Sequence, residues 1–266
     1  MSALLLRLAG PLQSWGVESR FAWRATANAP TKSGVIGLLA SALGYERTDT
    51  ESLAILAGLC FGVRLDQPGR KLRDFQTAHH PVTGQIMPVS QRFYVADAVF
   101  LAGVEGERAL LETIDAALHS PRYLPYLGRR SCPPSGPINL GIHDTDVVDA
   151  LKQAPWQAST WYQRRGPAAP TLTLLLEADP GYTDVDLQRD QPTTFNPAHR
   201  RYDLRGVRTD TVTLTNPLVG ADKHSIMLGA GTEASFRHFR VWEALPNADW
   251  AKNKAAIAAA SQPTAK

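Results

Sequence analysis

The stretch Thr31-Lys32-Ser33-Gly34-Val35-Ile36-Gly37-Leu38-Leu39-Ala40-Ser41-Ala42-Leu43-Gly44 decides the fold. Val35, Leu38, Leu39, Ala42 and Leu43 recur at i, i+3, i+4, i+7 and i+8, the apolar stripe of an amphipathic helix. Thr31 ahead of the stripe reads as its N-cap and Gly44 behind it as its stop. Such a helix must bury its stripe against another layer, so the flanking segments determine the architecture.

Upstream, Leu4, Leu6 and Leu8 alternate as in a half-buried strand, and a Gly/Pro-containing loop of about 20 residues leads on to the helix. Downstream, Leu53 to Leu59 reads as a short second helix, Cys60 to Leu65 as a strand and Asp66-Gln67-Pro68-Gly69 as a turn. Arg92 to Leu101 reads as a strand, Leu110, Leu111, Ile114, Ala117 and Leu118 as a helix stripe, and Thr171 to Glu177 as an alternating strand. The order β-α-β-β-α-β predicts an α+β fold, the ferredoxin-like antiparallel sheet with two helices on one face that RRM domains share. The strand segments lack the aromatic signature with which RRM domains stack bases, so loops are expected to bind.

An insertion at residues 67–91 separates the two middle strands, with extended arms Lys71 to His80 and Gln85 to Gln91 about a Pro81-Val82-Thr83-Gly84 turn. Arms of 7 to 10 residues would project roughly 20–30 Å at about 3.3 Å per residue, a protruding β-hairpin. Toward the end of the chain, Arg200 to Leu214 reads as a strand or hairpin and Ala248 to Ala260 as an alanine-rich helix.

With 266 residues, 44% of them hydrophobic and 20% charged, the chain can bury a core, which excludes wholesale disorder. No apolar run reaches the roughly 18–20 residues of a membrane span, and Arg7 interrupts any signal-peptide core, so a cytoplasmic protein without a membrane partner is expected. Cys60 and Cys132 lack metal-ligand spacing and read as reduced thiols.

The net charge is only +3, but its distribution is uneven. Residues 120–135 carry three cations and no anion, whereas residues 97–119 carry one cation and five anions. The run Pro121 to Pro134 combines Arg122, Arg129 and Arg130 with Tyr123, Tyr126, Gly128 and prolines. Forked guanidinium donors for phosphate and tyrosines for stacking, on a non-repetitive backbone, are single-strand RNA chemistry.

The helix start at Thr31-Lys32-Ser33 presents N–H groups and a lysine and would fit a phosphate, although Thr26 and Thr31 stand where a P-loop requires glycine. His79-His80 in the insertion has no carboxylate or cysteine at ligand spacing, so RNA contact or exposure is expected. Ser131, Cys132 and the scattered aspartates form no recognisable triad, and Asp144, Asp146 and Asp149 read as a helix-start cluster. No cofactor or metal is called for.

Four segments, Leu6 to Gly16, Pro30 to Leu39, Leu72-Arg73-Asp74-Phe75 and Pro121 to Pro133, resemble in order and spelling the Cas-five family of the RAMP superfamily, in its type I-E CRISPR Cascade branch. The resemblance runs to about residue 215, which implies a RAMP ferredoxin-like domain at 1–215 with a thumb-like hairpin at 67–91, and a C-terminal extension at 216–266. It implies a non-catalytic subunit that holds the 5′ handle of CRISPR RNA, contacts the Cascade large subunit and the adjacent backbone subunit, and meets target DNA indirectly through the complex. The thumb would kink the RNA where handle meets guide.

Carried over by motif, Gln13, Trp15, Thr31, Lys32, Ser33, Tyr126, Arg129 and Arg130 are the handle-binding candidates, joined by His79 of the hairpin. Arg200, Arg201 and Arg208 resemble the family's C-terminal strand region more loosely. Trp242 and Trp250 in the extension would be anchors on a neighbouring subunit or on the domain itself. The competing expectation is a metal-independent endoribonuclease, as type I-C relatives process precursor RNA with tyrosine, lysine and histidine; Tyr126, Lys32 and His79 are the residues at issue.

Overall fold

A computed structural model describes residues 1–16, 22–178 and 181–219. The expectations on residues 220–266, including the helix at 248–260, Trp242 and Trp250, lie outside the described residues.

The leading strand β1 (Ser2–Gln13) pairs antiparallel with β5 (Ser90–Gly106), from Ser2 opposite Gly106 to Gln13 opposite Val95. On the other edge of β5 lies β3 (Cys60–Gln67), and β3 pairs in turn with β7 (Thr171–Glu177). Beyond β7 come β9 (Arg201–Thr213) and the edge strand β8 (Asp186–Thr194), while β6 (Asn139–His143) closes the sheet against β1. All these pairings are antiparallel.

Thr171–Glu177 therefore does not close the sheet beside β1; Asn139–His143 does. That strand is five residues long and carries Gly141 at φ 91°, so it lacks the alternation that would announce it.

Helix α1 (Lys32–Leu43) starts and stops as its sequence predicts. Thr31 Oγ1 accepts from the Gly34 N–H at 3.3 Å, and Gly44 closes the helix at φ 81°. Together with α2 (Thr50–Ala57) and α3 (Arg108–His119), α1 covers the sheet face that carries Leu4, Leu6, Leu8, Phe100, Ala102 and Val104.

The opposite face is also covered. Ala3, Leu5 and Leu101 pack there on Val147, Ala150 and Leu151 of α4 (Val147–Gln153), so helices lie on both faces rather than on one. The unbroken run Ala3-Leu4-Leu5-Leu6 suits a strand buried on both sides.

The segment that follows α4 is fastened to β3 by a buried ion pair. Arg64 grips Asp66 through two bonds of 2.7 and 2.8 Å and donates its remaining N–H groups to the carbonyls of Leu151, Ala154 and Pro155. Gln67 holds Ser159, the residue before α5 (Thr160–Gln163).

Past Gln67 the chain turns through Gly69 (φ 70°) into β4 (Arg70–Gln76), which continues alongside the first half of β5 from Arg70 opposite Ala96 to Gln76 opposite Ser90. A Cβ on Gly69 would stand 2.5 Å from the Ala96 carbonyl oxygen. The outer residues 77–89 are exposed and carry one further bridge, His79 with Ile86. On the other side of β5 lies the two-residue strand β2 (Trp23–Arg24), parallel to Gln91–Arg92. No helix among the described residues is long and apolar enough to cross a membrane.

Candidate nucleic-acid interface

The loop at 126–133 is anchored from below. Leu127 and Cys132 are fully buried, and the loop is tied across itself by Leu127 N–H to Cys132 O at 2.7 Å and Cys132 N–H to Arg129 O at 2.8 Å. Ser14, just past β1, donates its N–H to the Leu127 carbonyl at 3.0 Å. At Gly128 (φ 86°) a Cβ would meet the Ser14 carbonyl oxygen at 1.6 Å, so this position accepts glycine alone.

With its ends tied down, the loop carries Arg129 and Arg130 outward. The Arg129 guanidinium lies 4.7 Å over the Tyr94 ring, and its Nη2 donates to the Arg24 carbonyl at 3.0 Å. Arg130 is exposed and Tyr126 half-buried.

Strand register brings further cations to this place. Arg24, Arg92 and Asp74 stand in one row across β2, β5 and β4, and Tyr94 follows Arg92 on the same face of β5 by the period of two. Register thus puts Arg24 and Arg92 on the face where Arg129 lies over Tyr94, with Asp74 as the carboxylate in the same row. Arg129 Nη1 and Arg92 Nε have no hydrogen-bond partner among the described residues. Clustered guanidinium groups on a fixed backbone are suited to phosphate oxygens, which they engage in forked pairs. Reading composition alone missed Arg24 and Arg92; strand pairing is the signal that finds them.

Five other candidates are scaffold in this structure. Gln13 is fully buried: Nε2 donates to the carbonyls of Leu8 (3.0 Å) and Ala98 (2.8 Å), while Oε1 accepts from Trp15 Nε1 at 3.1 Å. Trp15 is also fully buried, its ring against Gly34, where a Cβ would come within 2.9 Å of it. Thr31 spends its hydroxyl on the helix cap, and Ser33 donates to that same oxygen at 3.5 Å.

Lys32 is 2% exposed, with Nζ 3.0 Å from both carboxylate oxygens of Glu177. Its backbone N–H donates to Asp190 Oδ2 at 2.8 Å, and Arg205 clamps the same carboxylate through two bonds of 2.9 Å. The positive helix start is therefore filled by the chain's own Asp190, which leaves no place there for a phosphate.

The remaining candidates are dispersed. His79 is exposed on the outer hairpin, its Nδ1 3.2 Å from the Gly84 carbonyl oxygen. Arg200 and Arg201 are exposed where β9 begins; the register through β7 and β3 sets that point toward the Glu105 end of β5, away from Arg92. Arg208 is half-buried over the Tyr182 ring at 5.5 Å, near Asp210.

Neither cysteine is a reactive thiolate. Burial, helped by Glu177 and Glu105, pushes the Cys60 thiol up to about 11, and burial raises Cys132 as well.

A family model described as CRISPR-associated protein (Cas_Cas5) matches residues 3–208. The CRISPR system Cascade subunit CasD of Escherichia coli (strain K12) is 37% identical over 158 residues, covering 53% of this chain and 70% of that protein. Among solved structures, a chain of a CRISPR RNA-guided surveillance complex superposes with TM-score 0.67 at 34% identity over 81% of this chain and 92% of that one. A second, described as a Cas protein, gives TM-score 0.60 at 40% identity over 79% and 94%.

Proposed function

The chain belongs to the family of CRISPR-associated proteins designated Cas_Cas5, and from that membership we propose that it is a non-catalytic RNA-binding subunit of a CRISPR Cascade antiviral surveillance complex. In this reading it holds the 5′ handle of CRISPR RNA, contacts the large subunit and the adjacent backbone subunit, and meets target DNA only through the assembled complex. The order β6-β1-β5-β3, with α1 and α3 on one face, supports a ferredoxin-like core. The β4–β5 ladder and the exposed residues beyond it support the thumb.

The observation that carries the proposal is Arg129 held over Tyr94 and bonded to the Arg24 carbonyl, on the face where register puts Arg24 and Arg92, beside exposed Arg130 and a loop that only Gly128 allows. Handle contacts are accordingly assigned to Arg129, Arg130, Tyr126, Arg24 and Arg92. Gln13, Trp15, Thr31, Lys32 and Ser33 are assigned to the scaffold instead, Gln13 and Trp15 flanking the Ser14 that ties down the loop and Thr31, Lys32 and Ser33 forming the start of α1.

The competing endoribonuclease reading asks Lys32 to serve at an RNA phosphate. Its ammonium is buried and held by Glu177, which supports the non-catalytic alternative. Incubating purified full-length protein with labelled precursor repeat RNA in EDTA, then running native and denaturing gels, tests both. Retention of intact RNA is the expected result. Metal-independent cutting at one phosphate, abolished by substituting Tyr126 or His79, would replace this reading with the nuclease.

A further inference from the structure

The ribbon formed by β2, the first half of β5, and β4 has two faces, and the arginine cluster uses only one. Trp23, Gln91 and Phe75 stand in one row across the three strands, and Phe93 and Arg73 form the next row on the same side. The side-chain contacts agree with that assignment. The Trp23 and Phe93 rings lie 4.6 Å apart between centroids, and the Arg73 guanidinium lies 5.0 Å over the Phe75 ring.

This face is open. Trp23 is 49% and Phe75 58% exposed, and Arg73 and Lys71 are exposed on it as well. Lys71, Arg73, Phe75, Gln91, Phe93 and Trp23 include two cations and no carboxylate. Aromatic planes and a guanidinium plane set side by side on hydrogen-bonded strands are what unpaired bases stack on, and the ring faces accept any base. A protein partner would also bury such rings, but two cations and no carboxylate among the described residues of these rows favour a polyanion.

We infer that this second face is a stacking shelf for an unpaired base of the bound RNA, with Trp23 and Phe75 as its platforms and Arg73 as the guanidinium plane between strand and ligand. The inference rests on the RNA-binding reading above and extends it: phosphates are held on the Arg24–Arg92–Arg129 face and a base on the opposite one. The nucleic-acid strand then passes over the ribbon's edge, and the ribbon is read from both sides. Trp23 precedes the inserted hairpin in the sequence and joins the ribbon through its pairing with Gln91 and its ring contact with Phe93.

The test measures binding of full-length protein to a labelled single-stranded RNA bearing the repeat-derived 5′ handle, alongside copies of that RNA with one base removed at each position in turn. For the unaltered protein, one abasic position is expected to weaken binding roughly 5- to 150-fold, equivalent to the about 1–3 kcal/mol of base–aromatic stacking. In the doubly substituted protein Trp23→Ala, Phe75→Ala that position should cease to matter, while the salt dependence, set by phosphate contacts, stays unchanged. Trp23→Phe with Phe75→Tyr should restore the sensitivity. Circular dichroism should match the unaltered protein, since both side chains are exposed.

Equal loss on every abasic RNA for both proteins overturns the shelf, as does undiminished binding by the double variant. If the double variant keeps full RNA affinity but no longer joins the other subunits, the face is a protein interface and the shelf is wrong. Failure of the unaltered protein to retain any RNA would overturn the handle-binding reading and the shelf together.

Discussion

The guanidinium of Arg129 rests 4.7 Å over the ring of Tyr94, 35 positions earlier in the chain, and is fixed there by its bond to the Arg24 carbonyl. A cation placed over an aromatic face keeps its charge while losing rotamer freedom, so less ordering remains to be done when a phosphate arrives.

This arrangement predicts a particular salt response. If Arg129 and Arg130 each hold a phosphate as proposed, converting both to glutamate removes two contacts, and on a single strand each is worth about 0.7 in the slope of log affinity against log salt. The slope should therefore flatten by about 1.4, measured by RNA titration at several salt concentrations. An unaltered slope would make both arginines structural.

Lys32 should behave in the opposite way. It is buried against Glu177, so Lys32→Met leaves a carboxylate that also accepts the Phe61 N–H without its cation. Breaking a buried pair from one side typically costs about 3–5 kcal/mol; Glu177 is 26% exposed, which lowers the expectation to about 2–3 kcal/mol. Urea unfolding should show that loss, while the RNA salt slope of the folded variant stays as it was. A flattened slope at unchanged stability would return Lys32 to the binding surface.

The difference between these two cations also marks where reading the sequence ran out. Arg129 and Arg130 were legible because they sit in a run without anions, and α1 was legible because Thr31, its stripe and Gly44 are all local signals. What fills the start of α1 was not legible: Asp190 and Glu177 arrive from 158 and 145 positions away. A motif match records that Gln13, Trp15 and Lys32 are present without recording whether they face water. Arg24 and Arg92 needed strand register before they could be joined to Arg129. Among the elements, β6 and α4 are five and seven residues long, too short for either period to show. Strand β8 contains Pro192, which an edge position tolerates but which weakens any strand signal.

The cysteines give a chemical check on burial. With its thiol pushed up to about 11, Cys60 is thiolate to roughly one part in a thousand at pH 8, whereas an unperturbed cysteine is about one-quarter ionised there. Iodoacetamide should therefore label Cys60 more than a hundredfold more slowly in the folded chain than in urea, with the folded rate still climbing tenfold per pH unit up to about pH 10. Buried Cys132, raised in the same direction, should be protected too. Rapid labelling at neutral pH, read by mass spectrometry, would contradict the packing of β3 against the Glu177 network.

Gly128 offers the most local test of how the loop presents its arginines. Gly128→Ala combines a left-handed backbone with a Cβ placed 1.6 Å from the Ser14 carbonyl oxygen, and backbone lies on both sides of that clash, so no flexible side chain can yield. The loop must shift, which breaks the Ser14 N–H bond to Leu127 and moves Arg129 off Tyr94. The core beneath, held by Leu127 and Cys132, loses about 1–3 kcal/mol for one strained residue, and the domain should still fold cooperatively in urea. Handle-RNA affinity should fall by tenfold or more at low salt, with Arg129 and Arg130 both still in the chain. If affinity stays intact while stability drops, the loop's geometry serves the fold alone, and the phosphate contacts must come from Arg24 and Arg92 without it.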